Sequence, residues 1–575
     1  MSKAKTDNSI LEVENLKISF NSEGSRLVAV NGLSYKLAKG ETLGIVGESG
    51  SGKSVSSMAL LKLVPIPPGR YESGKITFDG QNKNLLDLSE SEIRKYRGKE
   101  IAMIFQEPMT SLNPSHKCGR QVAEMLELHT DWDKHAIKSE VLNLFEKVQL
   151  PDPERIYKSY PHQLSGGQLQ RVMIAMAVSC KPKVLIADEP TTALDVTVQK
   201  VIIELLINLN KENGNSTIFI THDLGVINQI ADKVLVMQKG EVMEYGPISQ
   251  VFNNPKHPYT KGLLACRPPL DRRYSRLPIV GDFLSMEESK HEEYVTSLIQ
   301  TNEEYVANLE SLNQSLIILE ANNIKKYYPS KTNIFGKATE YVKAVDGVSF
   351  VLRKGESIGL VGESGCGKST LGRVLLCLDK ATSGSAIFEG QDLFSMEKKK
   401  LRNLRKDFQI IFQDPYSSLN PRMTVGEAIM EPLKVHKLYN NNIERNEKVI
   451  DLLEKVGLEA DHFKRYPHQF SGGQRQRICI ARSLGLNPKF ILCDESVSAL
   501  DVSVQAQVLN LLKDLKDEFD LSYIFISHDL SVIKFIADNV MVMQHGKIVE
   551  RGDVETVINN PSKAYTQMLI DSIPK

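Results

Sequence analysis

The sequence has no Cys-x-x-Cys pair and no overall charge bias. Its seven cysteines are odd in number and widely scattered, which argues for a reducing compartment and against a zinc or iron–sulfur site. Lys plus Arg number 71 and Asp plus Glu number 71, so the formal net charge is zero. No whole-chain charge therefore draws the protein to nucleic acid or to an anionic membrane.

Long apolar runs are also missing. The N-terminal stretch MSKAKTDNSILEVENL has no apolar core of signal-peptide type, and no window approaches 18 uninterrupted apolar residues. We therefore expect a cytosolic chain that does not itself cross a membrane. The 575 residues, of which 41% are hydrophobic, predict about four globular folding units at roughly 150 residues each.

What the sequence does contain is a long internal repeat. GIVGESGSGKS at 44–54 returns as GLVGESGCGKS at 359–369, and YPHQLSGGQLQR at 160–171 returns as YPHQFSGGQRQR at 466–477. Repeats of this length indicate two homologous units in one chain. We place unit 1 at residues 1–265, unit 2 at 316–575 and a connecting segment at 266–315. The segment changes from a Pro/Arg stretch to an acidic one and is predicted to be a linker, partly helical after Met286.

Within each unit, short apolar runs alternate with stretches of helical periodicity. ETLGIVGE, VLIADEP and STIFITHD read as buried strands, whereas GKSVSSMALLKLV and GGQLQRVMIAMAVSC have apolar residues at helical spacing. Strands followed by loops that open helices indicate an α/β fold with a parallel sheet. Residues 108–164 and 415–470 have a mostly helical pattern and predict a separate helical subdomain in each unit.

Two glycine-rich loops carry the first chemical signal. GESGSGKS at 47–54 and GESGCGKS at 362–369 fit G-x-x-x-x-G-K-S, each between an apolar strand and a helix. The glycines let backbone N–H groups face a phosphate, while Lys53 and Lys368 neutralise its charge and Ser54 and Ser369 can ligate Mg²⁺. A plain glycine-rich turn is the alternative reading. The predicted nucleotide-binding residues are Gly47, Glu48, Ser49, Gly50, Ser51, Gly52, Lys53 and Ser54 in the first loop, and Gly362, Glu363, Ser364, Gly365, Cys366, Gly367, Lys368 and Ser369 in the second.

Cys366 allows two interpretations. A helix N-terminus lowers the pKa of a nearby thiol, which would make Cys366 reactive. The alternative is a small side chain at a permissive loop position, and we favour it.

Two apolar strands end in paired carboxylates. VLIADE and FILCDE place Asp188 and Asp494 to orient magnesium, and Glu189 and Glu495 to polarise an attacking water. An isolated Asp-Glu pair would more often be an ordinary strand end, but the phosphate loop upstream favours the catalytic reading.

Together these motifs resemble the nucleotide-binding domains of ABC transporters. LSGGQ at 164–168 and FSGGQ at 470–474 match the family signature, and ALD at 193–195 and 499–501 matches its D-loop. The resemblance covers essentially the whole chain outside the connecting segment. It implies tandem P-loop NTPase domains, each a RecA-like parallel-sheet core with a helical subdomain, that use ATP and Mg²⁺. In this family, the signature of one domain closes over the nucleotide of the other.

The resemblance also implies roles for residues outside the loops. Gln106 and Gln413 match the Q-loop, which contacts nucleotide and metal, and His222 and His528 match the catalytic switch histidine. Phe20 and Tyr328 stand where the family stacks an aromatic ring on adenine, with a core aromatic as the alternative. The signature residues implied to bind nucleotide are Ser165, Gly166, Gly167, Gln168, Ser471, Gly472, Gly473 and Gln474.

Within the family, the chain is most similar to the ATPases of oligopeptide/dipeptide-type importers. The likeness is carried by QEPMTSLNP and QDPYSSLNP after the Q-loops, YPHQ before the signatures, and NNPKHPYTKGLLA (253–265) and NNPSKAYTQMLI (559–570) at the ends of the two units. It implies two separate transmembrane permease subunits, an extracytoplasmic solute-binding protein and a place on the cytoplasmic face of the inner membrane. Many relatives have four cysteines for an iron–sulfur cluster after the first unit, whereas this chain has only Cys266, so we predict no cluster.

A soluble tandem ABC ATPase that acts on ribosomes is the rival interpretation. A long basic helix between the units would favour it, but here the connecting segment is acidic and the chain is neutral, which disfavours binding to nucleic acid. Copurification with two membrane proteins, or instead with ribosomes, would separate the two functions. The sequence does not identify the solute.

Overall fold

The computed structural model describes residues 8–22, 25–191, 195–332 and 338–573. Each unit contains a six-stranded sheet, a smaller antiparallel sheet and a group of helices. The strands are β1 (Ser9–Ser22), β2 (Ser25–Ala38), β3 (Thr42–Val46), β4 (Gly69–Phe78), β5 (Ile101–Ile104), β6 (Val184–Asp188), β7 (Ser216–Ile220), β8 (Lys233–Gln238), β9 (Glu241–Pro247), β10 (Ile317–Thr332), β11 (Ala338–Arg353), β12 (Ser357–Val361), β13 (Ser383–Phe388), β14 (Gln391–Asp392), β15 (Phe408–Ile411), β16 (Phe490–Asp494), β17 (Ser522–Ile526), β18 (Asn539–Gln544) and β19 (Lys547–Asp553).

The α-helices lie mostly on the two faces of the large sheets and in the helical subdomains. They are α1 (Lys53–Leu60), α2 (Glu90–Ile93), α3 (Pro108–Ser111), α4 (Cys118–His129), α5 (Lys134–Lys147), α6 (Pro153–Lys158), α7 (Gly166–Val178), α8 (Val196–Asn213), α9 (Leu224–Ile230), α10 (Ile248–Asn253), α11 (Pro258–Ala265), α12 (Val280–Ser285), α13 (His291–Ser297), α14 (Asn302–Gln314), α15 (Lys368–Leu375), α16 (Lys398–Leu404), α17 (Pro415–Ser418), α18 (Val425–Val435), α19 (Asn442–Lys455), α20 (Gly472–Leu484), α21 (Val502–Phe519), α22 (Leu530–Ile536), α23 (Val554–Asn559) and α24 (Ala564–Asp571).

The predicted parallel sheet forms the core of each unit. Its strand order is β5-β6-β7-β3-β8-β9 in unit 1 and β15-β16-β17-β12-β18-β19 in unit 2. Five strands run parallel, and the last strand pairs antiparallel with its neighbour. Strands β6 and β7 are buried along their whole length, as uninterrupted apolar runs predict for a sheet covered on both faces. The carboxyl ends of the central strands therefore meet at one edge, where ligands bind in such folds.

A second, antiparallel sheet in each unit was not predicted from the sequence. Its order is β2-β1-β4 in unit 1 and β11-β10-β13-β14 in unit 2. Strand β1 shows several register shifts against β2, and such irregular pairing interrupts the strict alternation by which a strand is recognised. This sheet packs next to the first phosphate loop, because a Cβ atom at Gly52 of the loop would lie only 2.3 Å from the carbonyl oxygen of Ala29 in β2.

The helical subdomains lie where the sequence predicts them. Residues 108–164 contain α3 to α6, and residues 415–470 contain α17 to α19. Val122 and Phe145 of unit 1 are fully buried between these helices and α7. The signature helix therefore joins the helical subdomain to the core sheet.

The connecting segment packs on unit 2 rather than spanning open solvent. It contains α12, α13 and α14, so helix begins at Val280, before the predicted start at Met286. The Leu277 N–H donates to Asn510 Oδ1 at 2.9 Å, and Arg273 donates to the carbonyl of Ala537 at the same distance. The acidic composition of this segment predicted a linker, but the same composition is found in the ordered surface helices that the segment forms. The domain limits themselves stay a prediction.

This packing places Lys513 next to other cations. Burial first, and then the nearby charges of Arg273 and Lys516, lower the pKa of Lys513 to about 8. Unit 1 has Ile207 at the equivalent position, since the repeats are offset by 306 residues between Glu189 and Glu495.

We expect Lys513→Ile to stabilise the folded chain by about 3 kcal/mol at pH 7, because folding lowers the lysine pKa from 10.5 to about 8 and one pKa unit corresponds to about 1.4 kcal/mol. The folded-state pKa lies below the ordinary value, so the ammonium destabilises the fold below pH 8, and this cost fades as the pH rises toward 10.5. Urea unfolding followed by circular dichroism at pH 7 and pH 10.5 measures the difference. A variant no more stable than the parent at pH 7 contradicts the prediction.

Within the described ranges, no helix is both long and apolar enough to cross a bilayer.

Candidate functional site

Both phosphate loops connect a core strand to a helix, as predicted. Gly52 and Gly367, the residues just before α1 and α15, have φ angles of 96° and 111°. A Cβ atom at Gly367 would lie 2.0 Å from the carbonyl oxygen of Ala344. Only glycine fits this position, because both the left-handed backbone and the close approach exclude a side chain. The loop is thus held against the antiparallel sheet.

The loop lysines are buried and lie over their own loops. Lys53 Nζ donates to the carbonyl oxygens of Gly47 and Glu48 at 2.7 and 2.8 Å. Lys368 makes the equivalent bonds to Gly362 at 2.6 Å and Glu363 at 2.9 Å. Burial lowers the pKa of Lys53 below its ordinary value, although nearby carboxylates oppose the shift. Each ammonium is therefore placed where the curled loop would hold a phosphate.

The loop serines contact the first of the paired carboxylates. Ser54 Oγ donates to Asp188 Oδ1 at 3.0 Å, and Ser369 Oγ donates to Asp494 Oδ1 at 2.8 Å. Hydroxyl and carboxylate oxygens are the hard ligands that Mg²⁺ prefers. The predicted metal-ligating pairs are thus adjacent in both units.

The second carboxylate of each pair is held by the glutamine and the histidine that the sequence singled out. Gln106 Nε2 donates to Glu189 at 2.7 Å, and Gln413 Nε2 donates to Glu495 at 2.9 Å. His222 Nδ1 lies 3.4 Å from Glu189, and His528 Nδ1 lies 3.5 Å from Glu495. Both glutamates adopt left-handed φ angles, 46° and 48°, which are uncommon for this residue type and recur at functional sites.

Burial and pairing shift the acid–base properties of these groups. Burial raises the pKa of Asp188 to about 6 and also raises the pKa of Asp494, so a cation beside either carboxylate would offset the cost of burying its charge. Burial alone would lower the pKa of His222 and His528, but the bond to the adjacent glutamate, the charge of that glutamate and the charge of the next aspartate together outweigh it, and both pKa values lie above the ordinary one. Burial alone would raise the pKa of Glu495, but His528 reverses the shift. The pairing favours an imidazolium next to a carboxylate.

A cavity of ≈ 730 Å³ lies over the second phosphate loop, lined by that loop, Gln413, Glu495 and His528. Tyr328 is not among its lining residues. The ring of Tyr328 is 38% exposed and lies 4.7 Å from Lys326 Nζ, and its strand partner Val342 lines the cavity. Phe20 is only partly buried and packs against the core of unit 1. The adenine-stacking roles of Phe20 and Tyr328 therefore stay predictions.

The D-loops join the two sites. Asp501 accepts a hydrogen bond from Ser49 N–H of the first phosphate loop at 3.1 Å, and Asp195 accepts one from Ser364 N–H of the second at 3.4 Å. Ser503 Oγ adds a bond to Glu48 at 2.6 Å. In the first D-loop, Ala193 and Leu194 lie outside the described residues. Each D-loop thus contacts the phosphate loop of the opposite unit through its aspartate. The sequence motif contained this aspartate but did not indicate which residue it would bind.

The signatures open helices as predicted. Ser165 and Ser471 are the N-caps of α7 and α20, and each accepts a hydrogen bond from the N–H of the glutamine three residues on. Gly166 and Gly472 are exposed, whereas Gly167 is partly buried and Gly473 is buried. Among the residues described around the ≈ 730 Å³ cavity, none belongs to a signature. Closure of a signature over the opposite nucleotide therefore stays a prediction.

Cys366 is not an activated thiol in this fold. It is 8% exposed, and burial raises the pKa of its thiol despite the nearby charge of Lys368. The interpretation as a small residue in the loop agrees with this environment. Burial also raises the pKa of Cys266, to about 12. The absence of an iron–sulfur cluster stays a prediction.

Two tyrosines that contact the phosphate loops were missed in the sequence. Tyr259 Oη accepts a hydrogen bond from Glu48 N–H at 3.3 Å, and Tyr565 Oη accepts one from Glu363 N–H at 3.0 Å. Both lie in the repeated NNPKHPYT and NNPSKAYT motifs, which supported the importer resemblance but gave no functional residue. The recurrence of tyrosine at the same point in both motifs was the available signal.

The same division into two units appears in comparison with known families. Residues 30–192 and 345–498, together more than half of the chain, match the family described as ABC transporter. The chain belongs to the ABC transporter family. Residues 243–289 and 549–575 match the C-terminal region of oligopeptide/dipeptide transporters, so a segment of this kind follows each of the two ABC matches, and the first extends into the connecting segment. The chain is accordingly a nucleotide-binding ABC ATPase of this transporter type, and its hydrolysis is coupled to transport.

Relatives of this ABC protein match it over nearly its full length. The glutathione import ATP-binding protein GsiA of Pectobacterium atrosepticum is 47% identical over 571 residues, 98% of this chain and 89% of that protein. GsiA of Escherichia coli O6:H1 is 46% identical over 568 residues, with the same coverage. A solved structure described as a post-hydrolysis dimer of the ATP-binding cassette MJ0796 is 28% identical and covers 41% of this chain and 99% of its own, with a TM-score of 0.38. The ribosomal alternative finds no support among the relatives' names.

Proposed function

We propose that this ABC ATPase drives import of glutathione or a similar small peptide. The observation that carries the proposal is the 46–47% identity to two glutathione import ATP-binding proteins over 98% of the chain. Both units and the connecting segment fall within this match. The matches to the oligopeptide/dipeptide C-terminal region favour a peptide-like solute.

In each proposed site, ATP would bind with its phosphates on the glycine-rich loop. The loop amides and Lys53 or Lys368 would hold phosphate charge. Ser54 with Asp188, and Ser369 with Asp494, would hold Mg²⁺, which neutralises charge on the β- and γ-phosphates.

Hydrolysis would depend on the glutamates that follow. Glu189 or Glu495 would accept a proton from the attacking water, and His222 or His528 would contact the γ-phosphate. Glu189 and Glu495 each have the same two neighbours, a glutamine and a histidine, which supports hydrolysis at both sites.

The D-loop contacts support a coupled pair of sites. Asp501 and Asp195 bind the phosphate loops of the opposite units. A shift of one phosphate loop on nucleotide binding would therefore displace the D-loop of the other unit. We propose that the signature at 470–474 closes over the first loop and that at 164–168 over the second. Fusion in one chain would give each unit its partner at high effective concentration.

The proposed partners are two transmembrane permease subunits, to which this chain would bind peripherally at the cytoplasmic face of the inner membrane. An extracytoplasmic solute-binding protein would deliver the solute to them.

We expect deletion of this chain to abolish ATP-dependent uptake of radiolabelled glutathione by its host cells, and the parent chain to restore it. The doubly substituted Glu189→Gln, Glu495→Gln chain serves as a control that should fold but not restore uptake. Affinity purification in mild detergent should recover two membrane proteins. Unchanged uptake, or recovery of ribosomes instead, would reject the proposal, and labelled dipeptides tested in parallel identify the solute class.

A further inference from the structure

A groove on unit 1 is open, whereas its counterpart on unit 2 is filled by the chain itself. The open groove has a volume of ≈ 410 Å³ and lies between α8, α9 and the start of β3. Gly40, Ile207, Asn215 and Asp232 are among its lining residues. It is separate from both phosphate loops, none of whose residues lines it.

The internal repeat identifies the counterpart on unit 2. Gly40 corresponds to Gly355, and Asp232 corresponds to Asp538, so the two ends of the groove have identical residues in both units. On unit 2, Asn308 of α14 donates to Asp538 Oδ1 at 3.0 Å, and Tyr305 Oη donates to the Asp538 carbonyl at 3.3 Å. Helix α14 thus covers this groove.

Equivalent residues of the two units differ in burial, which shows that one groove is covered and the other is open. Asp538 is 3% exposed beneath α14, whereas Asp232 is exposed. A Cβ atom at Gly355 would lie 3.9 Å from Leu312 of α14, whereas one at Gly40 would have no neighbour within 4 Å. The open groove therefore keeps the contact points that a helix uses on unit 2.

The open groove also contains an unsatisfied amide. Asn215 is 5% exposed, and neither its Oδ1 nor its Nδ2 has a hydrogen-bond partner. The Oδ1 of Asn210, which also lines the groove, is likewise buried without a partner. Unit 2 has Lys516 at the position of Asn210 and the fully buried Leu521 at that of Asn215. Buried amides normally have partners, so an occupant with a polar group facing Asn215 would satisfy the groove of unit 1.

We propose that this groove docks an amphipathic helix of a separate protein. The helix would have an aromatic residue, an amide and a leucine at positions i, i+3 and i+7, the spacing of Tyr305, Asn308 and Leu312, which places them along one face. Acidic residues would suit it, since α14 has Glu303, Glu304 and Glu310 and no basic residue, and the exposed Lys211 lines the open groove.

Helix α14 is already engaged on unit 2, both in this chain and in a second copy. Residues 1–7, MSKAKTD, contain no leucine and no aromatic residue, so they lack the pattern. In a second copy, Tyr305 and Leu312 are 5% and 8% exposed on that copy's own unit 2. An external helix therefore fits the groove best.

The test uses a fluorescent synthetic peptide of residues 301–315, TNEEYVANLESLNQS, titrated with the intact chain and followed by anisotropy. We expect one peptide to bind per chain. Ile207→Glu should weaken binding at least tenfold by placing a charge in the groove, whereas Ile207→Leu should change it less than twofold. A peptide with Leu312→Ala should also bind at least fivefold more weakly. Circular dichroism checks that both chain variants are folded.

Three results would overturn the proposal. Absence of binding at 1 mM peptide excludes a helix-docking groove. Binding that Ile207→Glu leaves unchanged places the peptide elsewhere, for instance in exchange with α14 on unit 2. Self-association of the chain that the peptide dissociates, seen by light scattering, replaces the separate partner with a second copy.

Discussion

Joint substitution of Glu189 and Glu495 by glutamine is expected to lower steady-state ATP hydrolysis by at least about 100-fold, the usual contribution of a positioned general base. Glutamine preserves the side-chain shape but accepts no proton. ATP binding should persist, because the phosphate loops and their lysines are unchanged. Phosphate release and equilibrium binding of a fluorescent ATP analogue measure the two properties separately.

The single variants test whether both sites hydrolyse ATP. Because each glutamate has the same two neighbours, a glutamine and a histidine, each single substitution should remove at least half of the activity. If Glu189→Gln leaves the rate intact and Glu495→Gln removes all of it, then only one site is catalytic.

Gly367→Ala is expected to weaken nucleotide binding at the second loop on the order of 100-fold, since overpacking costs up to about 3 kcal/mol and every 1.4 kcal/mol is about tenfold in affinity. The added methyl group would lie 2.0 Å from the backbone oxygen of Ala344, and a backbone atom cannot rotate away. The loop must therefore shift, and its N–H groups shift with it. Photolabelling with azido-ATP, followed by peptide mapping, distinguishes the second loop from the first, which serves as the internal control.

Gly365→Ala is the matched variant in the same loop. Gly365 also has a positive φ angle, 77°, but nothing lies within 4 Å of its added Cβ atom. The Gly365→Ala variant should therefore incur only the strain energy of a left-handed backbone, about 1–2 kcal/mol. It should weaken photolabelling of the second loop far less than Gly367→Ala. Equal effects of the two substitutions would show that backbone strain, not the contact with Ala344, constrains the loop.

The parts of the site that the sequence predicted are those carried by local motifs. The phosphate loops, Asp188 and Glu189 each lie at the end of an apolar strand, so one sequence pattern indicates both the strand and its ligand. Gln106 and His222 carry no such local signal. They were found only through the family resemblance, and the structure places both beside Glu189.

What was missed depends on contacts between distant parts of the chain. The bonds from Ser49 N–H to Asp501 and from Glu48 N–H to Tyr259 join residues 452 and 211 positions apart, and no periodicity indicates such pairs. The antiparallel sheets were missed because register shifts in β1 interrupt the alternation of its side chains. The packing of the connecting segment was missed because its acidic composition is typical of both linkers and surface helices.

The position of α14 has a consequence for synthesis of the chain. The helix ends at Gln314, whereas the groove that it covers is completed only by α22 and Asp538. At about 5–20 residues per second, a ribosome completes that groove roughly 10–45 s after α14. During this interval Tyr305 and Leu312 have no native surface to pack on. Nascent chains paused between these points should therefore be the ones most prone to aggregate or to recruit chaperones.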